Sequence, residues 1–124
     1  IDLFGTSEDS ETHIYEFSSS GQYEIEYDGK KISSKSARGL LVDFVSQLFA
    51  DGNYNNQLQE LIVDETPSFA MILGRKPSMY NGRPNSARVA DGVWVYANFN
   101  KKNVRIKIDK LARQLGIPVK IKWN

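Results

Sequence analysis

The sequence predicts an α+β class chain: a single domain with a mixed or antiparallel sheet of about five or six strands and three helices packed on it. Its 124 residues, 40% hydrophobic and 25% charged, make one domain of ordinary globular composition, long enough to bury one core. Segments in which apolar residues alternate with polar ones are interleaved with stretches where they recur every three or four positions, the periods of half-buried strands and of amphipathic helices. Glycine, proline, asparagine and aspartate fall between these segments, where turns are required.

Residues 1–11, IDLFGTSEDSE, are acidic and aperiodic and read as a linker or frayed lead-in to a domain spanning 12–124. The chain opens on Ile1 rather than Met, as an excised fragment of a longer protein would. His13, Tyr15 and Phe17 alternate with polar partners. Tyr23, Ile25 and Tyr27 do so again after a Ser-Ser-Ser-Gly turn, and Asp28-Gly29 marks a tight hairpin into a strand around Ile32. These three segments are expected to form a meander. Ser33 to Asp51 carries Leu40, Leu41, Phe44, Val45, Leu48 and Phe49 at helical spacing, with a serine before Ala37 as cap and Gly52 as stop. A shorter helix is expected over Asn55 to Val63, and Pro67 closes that section.

Phe69 to Leu73 is a continuous apolar run, expected as a central strand buried on both faces. Residues 74–92 show no period and are expected as a long basic loop. Val93 to Tyr96 is a strand. Asn100 caps a helix whose stripe is Val104, Ile108, Leu111, Ala112 and Leu115, ended by Gly116 and Pro118. Val119, Ile121 and Trp123 alternate with Lys120 and Lys122 in a closing strand whose outer face is basic.

Charge is divided sharply along the chain. Residues 1–74 hold 4 basic and 13 acidic side chains, net −9, whereas residues 75–124 hold 12 basic and 2 acidic, net +10. Such asymmetry points either to a polyanionic partner for the second half or to two halves that neutralise each other. No apolar run approaches the roughly 18 residues that span a bilayer, and no basic-then-apolar signal pattern opens the chain, so a cytoplasmic, nucleoid-associated protein with no membrane partner is expected.

Chemistry is bounded by what is missing. With His13 the single histidine and no cysteine, histidine triads, Cys–His pairs and multi-histidine metal sites cannot form within this chain. Neither GRKPSMYNG nor DGVWVYAN matches a phosphate-cradling glycine loop. The expectation is a non-enzymatic domain with no catalytic residues, no metal and no small-molecule cofactor. The enzymatic alternative is a metal-dependent nuclease built on Asp28-Gly29-Lys30 with Glu16 or Glu26, although a hairpin requires Asp-Gly for backbone reasons alone.

Binding to double-stranded DNA fits the residues better. Lys76, Arg83, Arg88, Lys101, Lys102 and Arg105 are candidates for phosphate contacts, with Lys107 and Lys110 as further cations, and such contacts position a protein without reading sequence. Asn98 and Asn100 are candidates for base contacts, since asparagine matches the major-groove edge of adenine bidentately and both stand beside a helix N-terminus. Arg75 joins them as a residue able to reach guanine, as does Arg83, though either can equally meet a phosphate. The structural alternatives are a plain cap for Asn100, a turn residue for Asn98 and a packing aromatic for Phe99.

The segments LGRKPSMY and VWVYANFNKKNVRIKIDKLARQLGIP resemble the C-terminal DNA-binding domain of SeqA, which sequesters hemimethylated GATC sites. The resemblance covers residues 73–118 and rests on Trp94, Asn98 and Asn100. It implies that Asn98 and Asn100 replace the base-contacting asparagines of that family, with Arg75 as a loop arginine near the DNA, in a sequence- or methylation-sensitive specificity domain. The first seventy residues do not resemble SeqA's self-associating segment. The whole order of segments also resembles a small C-terminal module attached to prokaryotic restriction and phage-defence proteins, which implies further domains of one larger restriction, defence or modification protein as partners. A protein–protein interaction module of such a protein is the alternative function.

Overall fold

A computed structural model describes residues 13–17 and 21–123, so the expected linker over 1–11 and most of the serine turn lie outside the described residues. The elements run β1 (His13–Phe17), β2 (Tyr23–Tyr27), β3 (Lys30–Ser34), α1 (Ala37–Asp51), α2 (Asn55–Leu61), β4 (Ile62–Val63), β5 (Leu73–Gly74), β6 (Met79–Tyr80), β7 (Arg83–Pro84), β8 (Ser86–Ala90), β9 (Val93–Tyr96), α3 (Lys101–Leu115) and β10 (Val119–Trp123). The class is α+β, and one contiguous core joins all three helices to both larger sheets. Its strands are divided among two four-stranded sheets, β1-β10-β2-β3 and β4-β5-β9-β8, and a separate β6-β7 hairpin.

Both long helices form where the apolar spacing places them. Ser36 caps α1 by accepting a hydrogen bond from the Gly39 amide at 3.0 Å, and Gly52 ends it in the left-handed region at φ 74°. Its buried stripe, Leu40, Leu41, Phe44, Val45 and Leu48, packs against β2 and β3 on one side and β8 and α3 on the other, so this helix joins the two sheets. Asn100 caps α3 through the Asn103 amide at 2.8 Å, and Val104, Ile108, Leu111, Ala112 and Leu115 are buried as expected. The α2 helix is shorter than expected: Ile62 and Val63 leave it to pair in parallel with Leu73 and Gly74.

The first sheet departs from a meander. Tyr27 and Lys30 close the expected Asp28-Gly29 hairpin, but β10 lies between β1 and β2, parallel to β1 (Phe17 opposite Trp123) and antiparallel to β2 (Ile121 opposite Ile25). The insertion buries Val119 and Ile121 and sets Lys122 opposite Glu24 and Lys120 opposite Glu26. The Glu24 carboxylate stands 3.7 Å from Lys122 and 3.8 Å from Lys31, while Glu26 is 3.7 Å from Lys31. The outer face of the last strand is therefore a mixed charge ladder rather than a basic surface, and part of the charge split is neutralised within the fold.

Two expectations between residues 69 and 92 are overturned. The apolar run is not a central strand: the Ser68 amide donates to the Met71 carbonyl at 2.8 Å in a tight turn that leaves Phe69 51% and Met71 47% exposed, and only Leu73 and Gly74 join the sheet. A run without alternation carries no information about which side will be covered. Residues 74–92 are not one loop, because they hold β6, β7 and β8. A bulge between Arg88 and Ala90 interrupts the alternation of β8, and this is why no period of two is visible there.

Candidate nucleic-acid interface

The β6-β7 hairpin projects from the second sheet. Its loop is the two-residue Asn81-Gly82, with φ of 51° and 75°, the all-positive pair that matches the right-handed twist of a hairpin. Tyr80 is paired with Arg83 and Met79 with Pro84; Tyr80 is 64% and Met79 58% exposed. Large side chains this open on a two-stranded ribbon contribute little to the core.

The base of the hairpin is firmly held. The Ser86 hydroxyl accepts from the Ser78 amide at 2.8 Å and donates to the Ser78 carbonyl at 3.2 Å, and both serines are buried. The Asn85 amide donates to the same carbonyl at 3.1 Å, and the Ser78 hydroxyl donates to the Asn85 side-chain oxygen. The Ala97 amide then donates to the Asn85 carbonyl at 2.9 Å, tying the hairpin to the segment that leads into α3. The serine and asparagine bonds close the base of the hairpin, and the Ala97–Asn85 bond ties that base to the segment carrying Asn98.

Asn98 stands exposed between buried Ala97 and half-buried Phe99. Phe99 meets Tyr96 and Phe69 edge-on, with ring centres 5.1 and 5.2 Å apart, and so anchors the turn, the packing role open to it from the sequence. Asn98 shares with Tyr80, Asn81, Arg83, Pro84 and Asn85 an open, shallow cleft of about 530 Å³. Amides, a guanidinium and an exposed phenol thus converge on one concavity beside the start of α3. Among the described residues no acidic side chain lines it.

The other candidates are dispersed. The Asn100 side-chain oxygen is occupied by its cap. The Arg75 guanidinium donates to Gln59 at 2.6 Å and Lys76 lies 3.8 Å from Glu65, both beside β4 and β5 rather than at the cleft. Arg88 pairs with Asp91 at 2.8 Å at the β8–β9 turn, the opposite end of that hairpin from Ser86 and Tyr96. Lys101 places its ammonium 5.6 Å from the Tyr23 ring centre, Lys102 is exposed, and Arg105 is half-buried. The first turn of α3 holds two lysines and no acidic residue, the reverse of what the helix dipole favours.

The acid-x-lysine segment is engaged in structure. The Tyr54 hydroxyl donates to the Asp28 carboxylate, and Lys30 pairs at 2.8 Å with Asp51. Asp51 also accepts from Tyr27 and Gln47, each at 2.8 Å. Burial pushes the Asp51 carboxyl up, but the hydrogen bonds from Lys30, Gln47 and Tyr27 outweigh it and leave the group below the usual aspartate range. The bond to Asp28, with burial added, pushes Tyr54 up to about 12, and burial followed by Asp51 raises Tyr27 as well. Among the described residues no three His, Cys, Asp or Glu side chains are grouped to hold a metal ion.

Comparison with protein-family models, with curated proteins and with solved structures finds no match to this chain. Tyr80, Asn81, Pro84 and Asn85 line the cleft and were not singled out from the sequence. Asn81-Gly82 is the short-range signal for a hairpin and marks them, but its flanks lack the alternation that would have drawn attention to it.

Proposed function

We propose that this domain binds duplex DNA and reads it in the major groove, as the specificity domain of a larger restriction, defence or modification protein acting on DNA in the cytoplasm. The observation that carries the reading is that Asn98 lines one cleft with Arg83 and Tyr80, the pair that flanks the loop of a two-stranded ribbon. A ribbon of this kind fits the width of the major groove, and Asn and Arg are the side chains that match adenine and guanine edges. Lys101 and Lys102, placed against the dipole of α3, gain most from phosphates beside them. The likeness to the SeqA DNA-binding domain adds support through Asn98, and sensitivity to base methylation is part of the proposal. No described helix is long and apolar enough to cross a membrane.

Fluorescence anisotropy on a selected duplex and on random duplex, across a salt series and with or without adenine or cytosine methylation, tests the reading. Asn98→Ala with Arg83→Ala is expected to remove about 1–3 kcal/mol of discrimination between the two duplexes while leaving random-duplex binding nearly intact. Lys101→Ala with Lys102→Ala should weaken both equally and flatten the salt slope. Asn100→Asp retains the capping oxygen but removes the amide donor, so any loss of discrimination there reports reading rather than capping. Absence of binding to any duplex at low salt refutes the proposal.

A further inference from the structure

A second surface lies between residues 69–73 and α3. Leu61, Met71, Leu73 and Leu111 form the walls of a groove, Lys107 and Lys110 stand on its rim, and no acidic side chain among the described residues lines it. We propose that this groove docks a short acidic segment of another protein that carries a large apolar side chain between carboxylates. Its volume, about 70 Å³, admits the end of one side chain, well below the roughly 300–1,000 Å³ of a small-molecule pocket. Phe69 and Met71, about half exposed each, extend the apolar surface beyond the groove, and such patches with a polar rim are used for protein contacts.

Charge selects the partner. Lys107 and Lys110 lie one turn apart on α3, and neither forms an ion pair with an acidic residue among the described residues. The Lys107 ammonium sits 4.6 Å from the Phe69 ring centre and 5.9 Å from that of Phe99. Burial, and then the charge of Lys110, lowers its pKa, and among the described residues the cation faces aromatic rings and a second lysine rather than a carboxylate. A carboxylate arriving with an apolar anchor relieves that deficit and covers Met71 in one step. DNA phosphates supply the charge but nothing to cover the apolar walls.

The probe is a fluorescein-labelled peptide of roughly ten residues alternating Glu with Leu and Phe, read by anisotropy at moderate salt. Saturable micromolar binding is expected, weakened about tenfold or more by Lys107→Glu with Lys110→Glu and several-fold by Met71→Ser, with the charge-reversed variant accepting the same peptide bearing Lys for Glu. Met71→Ser with Lys110→Glu, both at exposed positions, tests the same point without touching the half-buried Lys107. Equal binding by the charge-reversed protein, displacement of the peptide by one equivalent of duplex DNA, or a concentration-dependent dimer abolished by Met71→Ser would each overturn the proposal. Asn98→Ala with Arg83→Ala should leave peptide binding unchanged, and this keeps the test independent of DNA reading.

Discussion

Replacing Ser86 with Ala tests the link between the hydrogen-bonded base of the hairpin and its function. The buried Ser86 hydroxyl is the acceptor for the Ser78 amide, at 2.8 Å, and a second donor to the Ser78 carbonyl, at 3.2 Å. Alanine leaves the amide buried without a partner, which costs about 1–3 kcal/mol, whereas the carbonyl still accepts from the Asn85 amide at 3.1 Å and loses less. An effect near 2 kcal/mol makes opening of the hairpin roughly thirty times more frequent. Because the hairpin is peripheral, the loss should be concentrated there. Native-state hydrogen exchange is expected to accelerate at Ser78, Tyr80 and Asn85, with a smaller drop in global stability by urea unfolding. Binding to a selected duplex should weaken while random-duplex binding holds. If Ser86→Ala stays within about 0.5 kcal/mol of the parent and exchange in the hairpin is unchanged, the clamp is not what positions the cleft.

Two further predictions concern the frame. The Asp51 carboxyl is held below its ordinary value of 3.8, so the unfolded chain binds its proton more readily. Its stabilisation is complete above that ordinary value and is lost as pH falls through the folded pKa. Asp51→Asn, which breaks the pair with Lys30, should cost about 1–3 kcal/mol at neutral pH. It should also flatten the acid limb of a urea-midpoint-against-pH curve; an acid limb as steep as the parent's would contradict the assignment. At Gly74 an added Cβ would lie 2.5 Å from both the Glu65 carbonyl oxygen and the Pro67 nitrogen, backbone atoms that cannot turn aside. Gly74→Ala is therefore expected to cost about 1–3 kcal/mol by thermal or urea unfolding, and a neutral result would mean that the 65–67 segment moves freely.

Legibility followed the range of the interactions. Both long helices, with their caps at Ser36 and Asn100 and their left-handed stops at Gly52 and Gly116, were readable because cap, stripe and stop lie within one stretch of chain. The Asp28-Gly29 hairpin was readable for the same reason, and Asn81-Gly82 carried an equal signal beside strands too short to show a period. Asn98 and Arg83 could be named individually from their chemistry. Their meeting in one cleft could not, because it depends on Ser78, Ser86, Asn85 and Ala97 bonding across the sheet.

By itself, then, the sequence determined the α+β class and the caps, stops and buried stripes of the two long helices, all consequences of local stereochemistry and residue type. Tertiary structure alone decided that β10 separates β1 from β2, that Lys122 faces Glu24, that Phe69 and Met71 stay at the surface and that the hairpin meets Asn98. Each of those outcomes is a choice of partner between segments far apart in the chain. Such choices are settled by which apolar faces and hydrogen-bonding edges remain to be satisfied once the local elements have formed.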